Sequence, residues 1–343
     1  MRRQWVINPE VDLVSVLAQY GRFLEDDYRM AIDSMGIPPE FENYTDKSSR
    51  KFVIIGAKSV PGATAKSVFL CLTLAGPESL IVKAPTLDEG FLIQNVIDNY
   101  ARDIPTKVYN DSSDDLKLST DWRKSIDEAT DIVVFGDQNT ADAFGTLENE
   151  HRRIHIHGPK FSFGIVRAID LTPSMMQDIC FDFAAFYGEG CLSPKFYFIK
   201  GIVTNSMWKE FSKIHSTYFG ENIDEFRVKL PLTRKSELVQ QFVNGNFKAK
   251  YIREEKISSN ELFATLYGDC RFVVVDDFDE IDNFISKWRD NISTIAIHPS
   301  DDDVLDFVED QLVPRICSFG DMQFPEFFEP FDVVDDFEIY VGD

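Results

Sequence analysis

Short runs of Val, Ile, Leu and Phe recur along this chain, separated by longer segments with helical spacing. That alternation limits the fold more than any other feature. The runs are Phe52–Ile55, Leu80–Val82, Ile132–Phe135, Ile154–Ile156, Phe196–Ile202, Phe272–Val275 and Thr294–Ile297. Several are continuously apolar, as expected of strands buried on both faces. Helix-like stretches such as Ala65–Leu74 and Asp88–Tyr100 lie between them. Strands alternating with helices predict an α/β protein with largely parallel sheets. No internal repeat or low-complexity linker interrupts the pattern. Asn110–Ser119 and Arg253–Asn260 are polar and read as loops. His157-Gly158-Pro159 is the best candidate break between domains, because Gly-Pro interrupts regular structure.

A chain of 343 residues is long enough for two domains, or for one large domain with an insertion. Hydrophobic residues make up 44%, and thirty residues are Phe, so a full and unusually aromatic core is expected. The net charge of −23 argues against nucleic acid as a partner, since phosphates need a basic face. Small anionic ligands remain allowed, because charges beyond roughly 8 Å are screened at physiological salt. From Asp301 onward there are fourteen Asp or Glu against one basic residue, Arg315. This reads as solvated surface or tail rather than a docking site for a basic partner. Met1-Arg2-Arg3-Gln4-Trp5 does not open a signal peptide, and the longest apolar stretch, Val68–Ala75, is far too short for a membrane span. Five cysteines, widely spaced, form no disulfide or zinc pattern, so a reduced, cytoplasmic protein is expected.

One cysteine stands out by its surroundings. Cys191 lies in Gly188-Glu189-Gly190-Cys191-Leu192-Ser193-Pro194, between a helix and the strand Phe196-Tyr197-Phe198-Ile199. The helix is marked by Thr172 as cap, Pro173 at its first position, and Ile179, Phe183 and Tyr187 at intervals of four. Two glycines allow a tight turn and leave the sulfur uncrowded, and a thiolate so presented attacks a carbonyl or thioester. A cysteine that is merely a small buried hydrophobe is the competing reading.

Other signals are weaker. Ile132-Val133-Val134-Phe135-Gly136-Asp137-Gln138-Asn139-Thr140 reads as strand, glycine turn and helix start, where free backbone N–H groups can hold a phosphate or where Asp137, Asn139 or Thr140 simply caps the helix. No Gly-x-Gly-x-x-Gly or P-loop is present. Lys83 ends the strand Leu80-Ile81-Val82 and so points at the usual ligand crevice of an α/β sheet, or else is an ordinary surface lysine. His155 and His157 share a face of an extended segment but lack a convincing third ligand, so no metal site is expected.

Taken in order, these segments resemble the LuxC-type fatty acyl-CoA reductases of the aldehyde dehydrogenase superfamily. The resemblance rests on the strand-Gly-turn-Thr of Gly136–Thr140 and on His157-Gly158-Pro159-Lys160-Phe161-Ser162-Phe163-Gly164-Ile165-Val166. It rests also on Gly188-Glu189-Gly190-Cys191-Leu192-Ser193-Pro194 and on Arg315-Ile316-Cys317-Ser318-Phe319-Gly320-Asp321-Met322-Gln323-Phe324-Pro325. It implies an aldehyde dehydrogenase-like α/β fold with the active site in the cleft between two domains. One is a Rossmann-like cofactor domain over residues 1–160 with a C-terminal return over 320–343. The other is a catalytic domain over 161–319. It makes Cys191 the acylated nucleophile, places Lys83, Gly136 and Thr140 at the cofactor, and sets His157 and Lys160 at the substrate pocket. NADPH is the implied reductant and an aldehyde the implied product. The acyl donor is acyl-CoA or a partner acyl-transfer protein. Dimers and tetramers are usual in the superfamily, so a homo-oligomer is among the expectations. The phenylalanines suit an apolar acyl tunnel as well as a core, and core is the better reading for any single one.

One contrast with the wider superfamily and one departure from the family pattern bear on the chemistry. Aldehyde-oxidising relatives carry a Glu base where this chain has Ile154-His155-Ile156-His157-Gly158-Pro159-Lys160, with no Glu. Without that base, water is a poor acyl acceptor, and an acyl-enzyme is expected to last minutes in buffer; hydrolysis within seconds would count against this. The family's oxyanion-binding Asn is replaced by Ser59 in Gly56-Ala57-Lys58-Ser59-Val60-Pro61. Losing one such donor typically costs about 10²–10³ in rate. If Ser59→Asn speeds reduction at least tenfold, the shorter hydroxyl limits the enzyme; no change means another donor serves. Ser59 and the acidic C-terminus keep a second reading open, a catalytically retired acyl carrier or scaffold.

Overall fold

The computed structural model describes residues 13–21, 23–35, 48–56, 60–101, 103–110, 119–136, 138–158, 160–220, 250–252, 271–298 and 300–325. Ser59, Asp137, Pro159, residues 111–118, the segments 221–249 and 253–270 and the acidic C-terminus from 326 lie outside them. The chain divides into two compact units, which meet in sequence between Pro159 and Lys160; the second runs to Pro325.

The first unit opens with α1 (Leu13–Tyr20) and α2 (Glu25–Ser34). There follow β1 (Lys51–Ile55), α3 (Ala63–Leu70), β2 (Ser79–Lys83), α4 (Leu87–Tyr100) and β3 (Thr106–Tyr109). It ends with α5 (Thr120–Glu128), β4 (Asp131–Phe135), α6 (Gln138–Gly145) and β5 (Arg153–His157). The strands form one parallel sheet in the order β3-β2-β1-β4-β5. Strands β1 and β4 in its middle are continuously buried, whereas β3 and β5 at its edges mix buried and exposed positions. A strand covered by helices on both faces has no polar side to show, which is why the central runs are so plain in the sequence. The order reverses between β1 and β4, and in such sheets ligands bind beyond the carboxyl ends of the strands at that point. The helix expected over Ala65–Leu74 begins at Ala63 and continues past Leu70 as a π-helical segment, Cys71–Ala75. There the Thr73 hydroxyl donates to the Phe69 carbonyl at 2.7 Å, so the side chain competes for the helical acceptor.

The second unit contains β6 (Phe161–Arg167), α7 (Pro173–Ala184), β7 (Pro194–Lys200), α8 (Asn205–Gly220), β8 (Lys250–Ile252) and β9 (Arg271–Val275). It closes with α9 (Asp279–Trp288), β10 (Ile292–Ile297), α10 (Asp302–Glu309) and β11 (Arg315–Ser318). Its strands form a second parallel sheet, β11-β10-β6-β7-β9-β8. Side chains alternate between its two faces. Phe161, Phe163, Ile165, Phe196 and Phe198 join Ile281 and Ile285 of α9 and Val304 and Val308 of α10. Val166, Tyr197 and Ile199 join Met176, Ile179 and Phe183 of α7. The first face is a packed aromatic block, with Phe163 and Phe196 stacked at 5.3 Å. These phenylalanines are core. Burying each stabilises the fold by about 1.5–3 kcal/mol. Among the described residues no helix is long and apolar enough to cross a membrane, and no group of three or more His, Cys, Asp or Glu is placed to hold a metal.

Candidate active site

The turn that carries Cys191 begins one helical turn earlier than the periodicity of Ile179, Phe183 and Tyr187 predicts. Helix α7 starts as expected, with the Thr172 hydroxyl accepting from the Met175 N–H and Pro173 in the first turn. It stops at Ala184, and Phe186 and Tyr187 take left-handed backbone angles, φ 49° and 58°. Gly188 and Gly190 follow at φ 68° and 106°, where a side chain would be strained. A left-handed conformation costs a non-glycine residue roughly 1–2 kcal/mol. The burial of Phe186, 1% exposed, and the packing of Tyr187 on the α7 face offset that cost.

Buried side chains then hold the turn by its carbonyl oxygens. Lys195 Nζ donates to the Gly188 carbonyl at 2.9 Å, Ser193 Oγ to that of Glu189 at 2.9 Å, and Ser162 Oγ to that of Cys191 at 2.5 Å. Ser162 and Ser193 are fully buried, and Lys195 is 7% exposed. Cys191 itself is in no disulfide and is only partly buried. The donors are thus buried, whereas residues 189–192 of the turn, Cys191 among them, are partly exposed.

A third segment reaches the same turn from the end of the chain. Gln323 Nε2 donates to Ser193 Oγ at 3.0 Å. Arg315 donates to the carbonyls of Met322 and Asp321, folding residues 319–323 back along β11. Asp182 of α7, fully buried, accepts from Tyr197 Oη at 3.0 Å, Gly320 N at 2.8 Å and Met322 N at 3.3 Å. Burial pushes the Asp182 carboxyl up to about 7, although all three hydrogen bonds pull the other way. Gly164 lies opposite Tyr197 in the β6–β7 register, and a Cβ there would fall 2.1 Å from the ring. The bare backbone of β6 is what lets the tyrosine reach Asp182.

The first unit gathers a second set of residues at the carboxyl edge of its sheet. Ile55 pairs with Lys83 and with Val134, and Phe135 pairs with His157, so the ends of β2, β1, β4 and β5 lie side by side. Lys83 Nζ donates to the Ala84 carbonyl, and the Gly136 N–H to the carbonyl of His157. A Cβ at Gly136 would lie 2.6 Å from that of Thr140, so the two residues adjoin. The His157 ring stacks on Phe135 at 4.6 Å. Near the same edge, the start of α3 is capped from a distance. Glu89 accepts from the N–H groups of Gly62, Thr64 and Ala65, and its burial raises the carboxyl to about 7.

A family model described as acyl-CoA reductase (LuxC) matches residues 107–338. The chain belongs to the LuxC acyl-CoA reductase family. No curated protein matches it. Among solved structures, an engineered glycolyl-CoA reductase with bound NADP+ is 13% identical at a TM-score of 0.60, covering 90% of this chain and 78% of its own. A putative methylmalonate-semialdehyde dehydrogenase from Sinorhizobium meliloti, complexed with NAD, is 14% identical at 0.57 and covers 89% and 72%. The Staphylococcus aureus AldH is 13% identical at 0.57 and covers 86% and 71%. The fold is that of the aldehyde dehydrogenases.

Within this acyl-CoA reductase the expected site residues fall into separate groups. Lys83, Gly136, Thr140 and His157 share the carboxyl edge of the first sheet, so His157 stands by the strand-turn of Gly136. Lys160 is the first residue of the second unit and is partly buried. Cys191 stands with Ser162, Ser193, Lys195 and Gln323 in the second unit. Ser59 lies outside the described residues. Sequence reasoning gave no role to Ser193 and Gln323, although both stand in the family motifs. Asp182 carries a plainer signal, an acidic residue between Ile179 and Phe183 on the apolar stripe of α7.

Proposed function

We propose that this chain reduces an acyl thioester to an aldehyde with NADPH, through an S-acyl intermediate on Cys191. The observation that carries the reading is the Cys191 turn: a partly exposed thiol on a strained loop whose carbonyls are held by three buried donors, in a LuxC acyl-CoA reductase. Strain at Phe186 and Tyr187, kept by their packing, together with the hydrogen bonds on the turn, suits a group that must meet its substrate in one geometry.

The Cys191 thiolate attacks the thioester carbonyl, the new C–S bond forms, and the CoA thiolate leaves. The carboxyl edge of the first sheet fits a dinucleotide. It lies at the strand-order reversal, Gly136 leads into the start of α6, and Lys83 supplies a cation at the end of β2. Lys83, Gly136 and Thr140 would hold NADPH, which would supply the hydride that reduces the S-acyl group. The Cys191 thiolate then departs as the C–S bond breaks and the aldehyde forms, which restores the nucleophile. The stretch Ile154–Lys160 contains no Glu to activate water, so the acyl group is kept for hydride. The solved relatives hold NAD in one case and NADP+ in another, and the glycolyl-CoA reductase with NADP+ supports NADPH as the reductant.

The deciding experiment is intact-protein mass after mixing with acyl-CoAs of several lengths, followed by peptide mapping. An acyl adduct on Cys191 that disappears on adding NADPH, with aldehyde released, is the expected result. An adduct that NADPH leaves untouched would make the chain an acyl carrier instead. No adduct with any acyl-CoA would overturn acyl-CoA as the donor.

A further inference from the structure

We propose that Gln323, acting through Ser193, is a positioning residue for the Cys191 thiol; this rests on the reading of Cys191 as the acylated nucleophile. Gln323 is 2% exposed and Ser193 fully buried, and a buried amide or hydroxyl costs stability unless it is hydrogen-bonded. The bonds they make have a direction. A hydroxyl has one proton, and the Ser193 proton goes to the Glu189 carbonyl at 2.9 Å. The Gln323 N–H, 3.0 Å away, meets the Ser193 oxygen as a donor, so it reinforces that direction instead of competing for the proton. Glu189 is two residues before Cys191, on the stretch between the two left-handed glycines. A stretch with that much backbone freedom has little stiffness of its own. The Gln323–Ser193–Glu189 chain fixes it on one side of the nucleophile, as Ser162 fixes the Cys191 carbonyl on the other.

The far end of the chain of bonds is anchored as firmly. Gln323 follows Met322 directly. The Met322 backbone donates to Asp182 and accepts from Arg315, and its side chain is fully buried. The amide of Gln323 is therefore presented from a segment that cannot drift. Its role is to hold the turn and not to touch the acyl group.

The test uses full-length protein with Gln323→Glu, Ser193→Ala and the double substitution. Gln323→Glu preserves size but puts an acceptor where the donor was, which draws the Ser193 proton away from Glu189. The readout is single-turnover acylation of Cys191 by the acyl-CoA that labels the unsubstituted protein. The expected result is a rate about tenfold lower in each single variant, with acyl-CoA affinity unchanged, since misplacing a reacting group by a fraction of an ångström costs this much or more. The double variant is expected to lose no more than the worse single one, because both act through one carbonyl. Single-variant rates within twofold of the parent would overturn the proposal. So would losses that multiply in the double variant, which would mark two independent structural roles. Should Gln323→Glu fail to fold, Gln323→Ala, which removes the donor to Ser193, carries the same comparison. If no acyl-CoA labels the parent, the acylation reading fails by itself, and positioning is read from alkylation of Cys191 by iodoacetamide. A tenfold slowing then upholds the positioning role, and an unchanged rate overturns it.

Discussion

The two sheets position their functional residues in opposite ways. In the first, Lys83, Gly136 and His157 sit where parallel strands end, and the register of β2, β1, β4 and β5 is enough to bring them together. In the second, Cys191 precedes β7, at the amino end of the strand, and side chains from β6, β7 and the segment after β11 hold it. One arrangement is made by backbone pairing between neighbouring strands. The other depends on a few buried polar atoms whose partners are far apart in the sequence. The difference teaches that strand register is enough to gather residues along a sheet edge, whereas a turn built on left-handed residues needs its own set of bonds.

The comparison can be broken most directly at the nucleophile. Cys191→Ala is expected to lower aldehyde formation by about 10³-fold or more while NADPH binding, followed by nicotinamide fluorescence, stays unchanged. Loss of both together would mean that the two regions are not functionally separate. The next effect is a pH dependence to which each unit contributes one buried carboxyl, Asp182 in the second and Glu89 in the first. Asp182 holds its proton more tightly in the folded chain than in the unfolded one, with a folded value of about 7 against 3.8. Its contribution to stability is therefore complete below 3.8 and is lost as pH rises to about 7, on the order of a few kcal/mol. Denaturant unfolding across pH 4–8 should show this decline and then a plateau, and Asp182→Asn should make it shallower, leaving the part due to Glu89. Parallel pH profiles for the two proteins would refute the burial argument.

Smaller effects sharpen the contrast. Gly164→Ala pushes a methyl into the Tyr197 ring and is expected to cost about 1–3 kcal/mol. Gly145→Ala in the first unit meets only Ile156 at 3.6 Å and should stay within about 0.5 kcal/mol by the same unfolding measurement. Equal losses would show that Tyr197 adapts. Lys83→Ala is expected to weaken NADPH binding about tenfold, roughly one cation's worth of contact, without slowing alkylation of Cys191. A slowed alkylation would tie the two edges together.

What the sequence reveals follows the same division. Strands β1, β4, β7 and β10 are visible as apolar runs because helices cover both their faces. Strand β6, in the middle of the second sheet, is hidden. Ser162 and Gly164 break its apolar run, one to hold the Cys191 carbonyl and the other to make room for Tyr197. The end of α7 is misread for a related reason: Tyr187 keeps the helical period although its backbone has turned left-handed, because its ring still packs on the same core. Cys191 is found from two glycines and a family motif. Its supports are not, because Ser193 and Gln323 lie 130 positions apart and no local pattern links them.

That separation also sets an order of events. A ribosome adding about 5–20 residues per second needs roughly 6–26 seconds to pass from Ser193 to Gln323. For that interval the nascent chain already contains its thiol but not the last of the bonds that aim it. On the positioning role proposed for Gln323, a chain cut short before that residue carries Cys191 on a turn that lacks its last support.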